Sequence, residues 1–155
     1  NLFIVGAPKC GTTSMYVYLK SHPEIYMSET KEINYFGDDL KWHNSENRIL
    51  NKKQYMHFFK YSKGYRVIGE ASTIYIHSET ACNEIYNFNP SSKIIIMLRN
   101  PVDMVVSMHS QLLFTGSENE SHAFTRRFVD SLASDLKAYG KRFERTDTQT
   151  VPVTF

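Results

Sequence analysis

Leu2-Phe3-Ile4-Val5-Gly6-Ala7-Pro8-Lys9-Cys10-Gly11-Thr12-Thr13-Ser14 is the stretch on which the reading of the whole chain turns. An apolar run leads into Gly6, and from Thr12 onward Met15 and Leu19 fall at helical spacing, which predicts strand, loop and helix in that order. Gly6 and Gly11 bracket four residues, the glycine frame of a phosphate-binding loop in the context such a loop requires. Backbone N–H groups of the loop, with the positive end of the following helix dipole, would make an anion cradle to which Thr12 and Thr13 add hydroxyl donors. A tight turn without a ligand would use the same two glycines, and Thr13 would then serve only as a helix cap.

Working outward, His22-Pro23 ends the first helix, because the residue before proline is pushed out of the helical region. Ile25 to Met27 can form a short strand, and Lys31 to Phe36 runs into the turn signal Gly37-Asp38-Asp39. After a surface loop, Lys52 to Tyr61 reads as helix, Tyr65 to Gly69 as a strand ending at Glu70, and Glu79 to Phe88 as a helix closed by Asn89-Pro90. Lys93 to Leu98 is apolar on both faces, the pattern of a strand inside a parallel sheet. Asn100-Pro101 then starts a helix that runs to about Phe114, with proline at its first position. Past the polar loop 115–121, Phe124, Phe128, Leu132 and Leu136 recur every four residues and predict a last amphipathic helix. The expectation is one α/β domain over residues 1–155: a P-loop-like three-layer fold with a mostly parallel sheet of about four or five strands flanked by helices. The interrupted look of the segment after Thr148 suggests that this domain is incomplete at its C-terminus.

The formal charge of +2 on 155 residues is too mild to attract a nucleic-acid backbone, so anion binding has to be local. Cys10 and Cys82 share no framework spacing and are expected as free thiols. The six histidines show no HxxxH or HxH spacing, so no metal site is expected, and His109 turns to a different helix face from Ser107, which argues against a catalytic role for it. Ile94 to Leu98, the longest apolar run, falls far short of the ~20 residues a spanning helix needs, and no signal peptide opens the chain. A cytoplasmic protein is expected, or a Golgi-lumen one if this is the catalytic part of a membrane-anchored enzyme. The Asn119-Glu120-Ser121 triplet fits a glycosylation acceptor, a pattern that also arises by chance. Nothing in the chain fixes its oligomeric state.

The chemistry of the loop separates two classes of phosphate binder. In nucleotide kinases the lysine follows the second glycine, whereas here Thr12 holds that place and Lys9 lies inside the loop. A magnesium-dependent enzyme also wants an acidic residue at the end of a neighbouring strand, and the run Ile94 to Leu98 ends in Arg99. Lys9 and Arg99 therefore point to direct cationic binding of phosphates without a metal. A nucleoside or small-molecule kinase remains the enzyme alternative, and a nucleotide-binding module without turnover the non-enzyme one.

Three segments together resemble the sulfotransferases that use 3′-phosphoadenosine 5′-phosphosulfate. Gly6 to Ser14 is similar to the family's 5′-phosphosulfate loop, which implies that Pro8, Lys9, Cys10, Gly11, Thr12, Thr13 and Ser14 bind the donor. Arg99-Asn100-Pro101 followed by Ser107 is similar to the segment that holds the 3′-phosphate, and Arg99 can give such a group bidentate hydrogen bonds. His22-Pro23 through Lys31-Glu32-Ile33-Asn34-Tyr35-Phe36 resembles the stretch that carries the catalytic base in heparan-type and many bacterial members. The resemblance covers roughly residues 2 to 114.

By that resemblance, Glu32 takes the acceptor's proton and Lys9 stabilises charge on the leaving phosphate oxygen during in-line transfer, with no metal. Without it, Glu32 is simply a surface carboxylate beside Lys31. Glu70 is the rival base, since it reads as ending a strand, and buried structural pairing is its alternative role. Gly69-Glu70-Ala71-Ser72-Thr73-Ile74-Tyr75 resembles a further family block, with Ala71 where the heparan-type version has lysine and Thr73 where it has proline. Asn34 stands where some glycan enzymes have histidine. These departures favour the broader bacterial-like branch and leave the acceptor open as a small molecule or a glycan with a hydroxyl or amine.

Overall fold

The computed structural model describes residues 1–40 and 51–114. They fall into two compact units, Asn1–Asn100 and the part of Pro101–Phe155 that is described. In the first unit, strand β1 spans Leu2–Gly6, helix α1 Thr12–Lys20, β2 Ile25–Met27 and α2 Lys52–His57. Strand β3 follows over Val67–Ala71, a 3-10 turn over Tyr75–His77, α3 over Ala81–Phe88 and β4 over Lys93–Ile96. Helix α4, Pro101–Phe114, belongs to the second unit and places Pro101 at its first position as expected.

The four strands form one parallel sheet in the order β2-β3-β1-β4. Side chains of a strand alternate between faces, and β1 uses this fully. Phe3 and Val5 enter a core with Ile33, Phe36, Tyr55, Tyr75 and Ile85 on one face, while Leu2 and Ile4 pack with Tyr16, Met27 and Ala71 on the other. Helix α1 thus covers one side of the sheet and α2 with α3 the other, giving the three layers expected from the sequence.

Boundaries moved in places. Strand β3 begins two residues later than the sequence suggests and continues through Ala71, so Glu70 lies inside the strand instead of at its end. Helix α2 stops at His57, and Phe58 to Lys60 continue as hydrogen-bonded turns. Strand β4 is parallel as expected but is not buried on both faces: Ile94 is 46 % and Ile96 56 % exposed. Among the described residues it pairs only with β1 and forms an edge, which is why its apolar run overstated its burial. The helix expected over Phe124 to Leu136 and the loop 115–121 lie outside the described residues.

The connection after β2 is fixed by polar contacts rather than by regular structure. Glu84 of α3 accepts from the Gly37 and Asp38 amides at 2.8 and 3.1 Å. Asp39 accepts from the hydroxyls of Ser78 and Thr80 and from the Glu79 amide. The Ser78 hydroxyl and then the Glu79 amide hold the Asp39 carboxyl down at about 2, against an ordinary 3.8. A depressed carboxyl contributes stability that is full above its ordinary value and is lost as pH falls through the depressed one. Asp39→Asn is therefore expected to melt a few degrees lower near neutrality, and to lack the part of the wild-type decline that falls between about pH 4 and pH 2. Melting curves across that range check this, and parallel declines in the two proteins would contradict it.

Candidate functional site

The loop between β1 and α1 is shaped as a cradle. Lys9 adopts a left-handed backbone with φ 61°, and Gly11, the N-cap of α1, has φ 83°. A side chain at Gly11 would meet only Met97 Cε, at 3.6 Å, so the loop surface there is open to an incoming group. Gly6 is the opposite case: a Cβ would fall 2.7 Å from Ile76 Cγ2 and 2.8 Å from the Thr73 carbonyl, so its lack of a side chain lets the 3-10 turn pack against the loop entrance. The Cys10 amide closes onto the Ala7 carbonyl and the Met15 amide onto Gly11. Thr12 is buried, and Thr13 and Ser14 are exposed on the first turn of the helix. Gly11, not Thr13, caps the helix, which leaves the Thr13 hydroxyl available for another contact.

Neighbouring strands bring two further segments to this edge. Ala7 donates to the Met97 carbonyl and Met97 to the Gly6 carbonyl, each at 2.8 Å, so the chain leading from β4 to Arg99 runs beside the entrance of the loop. Arg99 is exposed there, just beyond the carboxyl end of β4. Open α/β sheets place their ligands at that edge. Ser107 lies within α4 of the second unit.

The segment that carries Glu32 reaches the loop from the other side. Lys31 Nζ donates to Thr13 Oγ1 at 3.0 Å and forms an ion pair with Glu32 at 3.3 Å. Glu32 also has a left-handed backbone, φ 57°, and its carboxylate accepts from the Thr73 amide at 2.8 Å and the Thr73 hydroxyl at 3.0 Å. The Glu32 side chain keeps 38 % of its surface exposed. A carboxylate has about four lone-pair positions. Three are taken here, and one is left to accept a proton. Beyond the adjacency of Lys31, no sequence signal marks the Lys31 and Thr73 contacts, because both depend on which loops the parallel strands bring together.

Glu70 is only 1 % exposed and has a different environment. Its Oε1 accepts from Tyr55 at 3.0 Å and Tyr75 at 3.1 Å, and its Oε2 from Ser72 at 2.9 Å. Burial pushes its carboxyl up to about 7, the three hydroxyl donors offsetting only part of that cost. Buried structural pairing, the alternative considered from the sequence, is the arrangement found. Among the described residues no group of three or more histidine, cysteine or acidic side chains is disposed to hold a metal, and Cys10 and Cys82 are free thiols. No described helix is long and apolar enough to cross a membrane.

A parallel α/β sheet with an open, glycine-framed loop after β1 defines a P-loop-like fold. The chain belongs to the sulfotransferase family: the Sulfotransferase domain matches residues 1–148. A crystal structure of a sulfotransferase from Alicyclobacillus acidocaldarius is 36 % identical with a TM-score of 0.68, over 76 % of this chain and 51 % of that one. Similar proteins include the membrane-associated sulfotransferase kil1 of Dictyostelium discoideum, 28 % identical over 70 % of this chain and 22 % of its own length. Mouse heparan sulfate glucosamine 3-O-sulfotransferase 5 is 27 % identical over 85 % of this chain and 35 % of its own. The human bifunctional heparan sulfate N-deacetylase/N-sulfotransferase 3 is 29 % identical over 92 % and 17 %. This chain therefore spans between 17 and 35 % of the length of those three relatives.

Proposed function

We propose that the chain forms the donor-binding and base-bearing part of a sulfotransferase that moves a sulfuryl group from 3′-phosphoadenosine 5′-phosphosulfate to a hydroxyl or amine. The observation that carries this is the contact between two segments far apart in sequence: Lys31 touches Thr13 on the phosphate loop while flanking Glu32. A base poised beside an anion cradle suits transfer from a bound donor to an acceptor that must lose a proton.

In that reaction the bond from sulfur to the donor's 5′-phosphate oxygen breaks as a bond to the acceptor forms, and 3′-phosphoadenosine 5′-phosphate leaves. Pro8 to Ser14 bind the phosphosulfate end through loop amides and hydroxyls, and Lys9 meets the negative charge that develops on the departing oxygen. Glu32 takes the acceptor's proton through its remaining lone pair. Arg99 holds the 3′-phosphate, and no metal is required because lysine and arginine supply the positive charge. The heparan and carbohydrate substrates in the names of several relatives favour a glycan acceptor.

Binding of the product nucleotide tests the donor assignment without an acceptor. A ligand at 100 times its Kd stabilises a fold by about 2.7 kcal/mol. 3′-Phosphoadenosine 5′-phosphate is expected to raise the melting temperature by several degrees, and ATP with magnesium far less. Equal shifts from the two would point to a general nucleotide site and against this assignment.

A further inference from the structure

The segment from Glu32 to Asp38 has no regular secondary structure, yet most of its backbone donors are accounted for, and the acceptors of three of them, Asn34, Tyr35 and Phe36, converge on one buried carboxylate. The Glu32 amide donates to the Ala71 carbonyl at 2.8 Å. The Asn34 amide donates to Ser72 Oγ at 3.1 Å, and the amides of Tyr35 and Phe36 both donate to Tyr75 Oη, at 3.0 and 3.3 Å. Ser72 and Tyr75 in turn donate to Glu70, as does Tyr55, whose ring stacks on Tyr35 at 4.3 Å. Every path from the base-bearing loop into the sheet at Asn34, Tyr35 and Phe36 therefore ends on Glu70.

The direction of these bonds follows from the chemistry of the carboxylate. A hydroxyl has one hydrogen and two lone pairs, and an ionised carboxylate only accepts. Glu70 thus obliges the Ser72 and Tyr75 hydrogens to point at it, so that their lone pairs face the loop amides. We propose that Glu70 is a positioning residue: by orienting the Ser72 and Tyr75 hydroxyls it fixes the backbone of residues 34–36 and so the attitude of Glu32. This rests on the base role proposed for Glu32, but the anchoring itself does not.

The ionisable groups that face Glu70 are Tyr55 and Tyr75, the Glu32 carboxylate and the Asn1 amino group. Since burial holds the Glu70 carboxyl near 7, the orientation is strongest above that value. Glu70→Gln keeps the volume but turns one acceptor into a donor, so one hydroxyl must swing its hydrogen toward a loop amide that also needs an acceptor. The experiment compares wild type with Glu70→Gln, Ser72→Ala and Tyr75→Phe at pH 8.5. It measures hydrogen exchange of the Asn34, Tyr35 and Phe36 amides, affinity for 3′-phosphoadenosine 5′-phosphate, and labelled sulfuryl transfer to a glucosamine-containing oligosaccharide.

In Glu70→Gln, exchange at the amides facing the reoriented hydroxyl, Asn34 for Ser72 or Tyr35 and Phe36 for Tyr75, is expected to rise at least tenfold relative to the Ile4 amide. Nucleotide affinity is expected to stay within threefold, and kcat to fall about 10- to 100-fold, the scale on which a small misplacement of a reacting group acts. If Glu70→Gln does not fold, Tyr75→Phe is expected to raise exchange at Tyr35 and Phe36, and Ser72→Ala at Asn34. Unchanged exchange in the folded variants overturns the proposal, as does faster exchange with full kcat. A wild type that binds the nucleotide but transfers nothing to any acceptor would sink the proposed function, and the anchoring would then stand or fall on the exchange result alone.

Discussion

Lys9→Ala is expected to lower kcat for sulfuryl transfer by about 10²- to 10³-fold, the usual cost of removing one preorganised donor from a site of developing charge. The substitution is clean for a conformational reason. Lys9 has φ 61°, a region that every residue with a Cβ enters at a cost. Alanine carries the same Cβ penalty as lysine, so the loop keeps its strain and loses only the ammonium. Affinity for the donor should weaken less than turnover does, because the loop amides and hydroxyls still hold the phosphate. Steady-state rates at saturating donor, set beside nucleotide binding, separate the two effects. Full turnover in the alanine variant would remove Lys9 from the chemistry and leave the loop as a binding element only.

Glu32→Gln is expected to lower kcat by about 10²- to 10⁴-fold, the range over which a positioned general base acts, with affinity for 3′-phosphoadenosine 5′-phosphate nearly intact. Glutamine can still accept from the Thr73 amide, and the freely rotating Thr73 hydroxyl can turn to receive from the new amide group. The lost pairing with Lys31 is partly exposed on both sides, and such pairs contribute about 0–1 kcal/mol. The fold should therefore survive while the proton acceptor is gone. Single-turnover transfer and a melting curve on the same sample test both halves. An unchanged rate would move the base role away from Glu32, and Glu70 is poorly suited to inherit it, since both of its oxygens face inward to hydroxyl donors.

The parts of this fold that were legible in the sequence are those whose cause is local. The run Leu2 to Val5, the glycines at 6 and 11 and the apolar spacing after Thr12 announced strand, loop and helix, and β1 and α1 follow them. Ile25 to Met27 was legible because Pro23 separates it from the helix before it. What was not legible depends on register and on distant partners. Glu70 read as a strand end because nothing local to it reveals that Tyr55, fifteen residues away, and Tyr75 would enclose it. Ile94 to Leu98 is apolar enough for the interior, yet β4 pairs on one side only among the described residues, and its burial followed its place in the sheet rather than its composition. At the site, the motif around Glu32 is enough to single it out as a candidate base. The bridge from Lys31 to Thr13 was not legible, because it spans eighteen residues and exists only once β3 sets β1 and β2 into one sheet.

Lys9 and Glu32 share one more property: both hold a backbone shape that chains of L-residues ordinarily avoid. Each such residue costs on the order of 1–3 kcal/mol and persists only where its surroundings enforce it. That expense is met when the chain folds, not when a molecule arrives, so capture of the proposed donor demands little fresh ordering of these two positions. The reverse also holds. Anything that slackens the scaffold, even at a distance, lets these two residues relax toward commoner shapes, so competence should fade before the fold itself is lost.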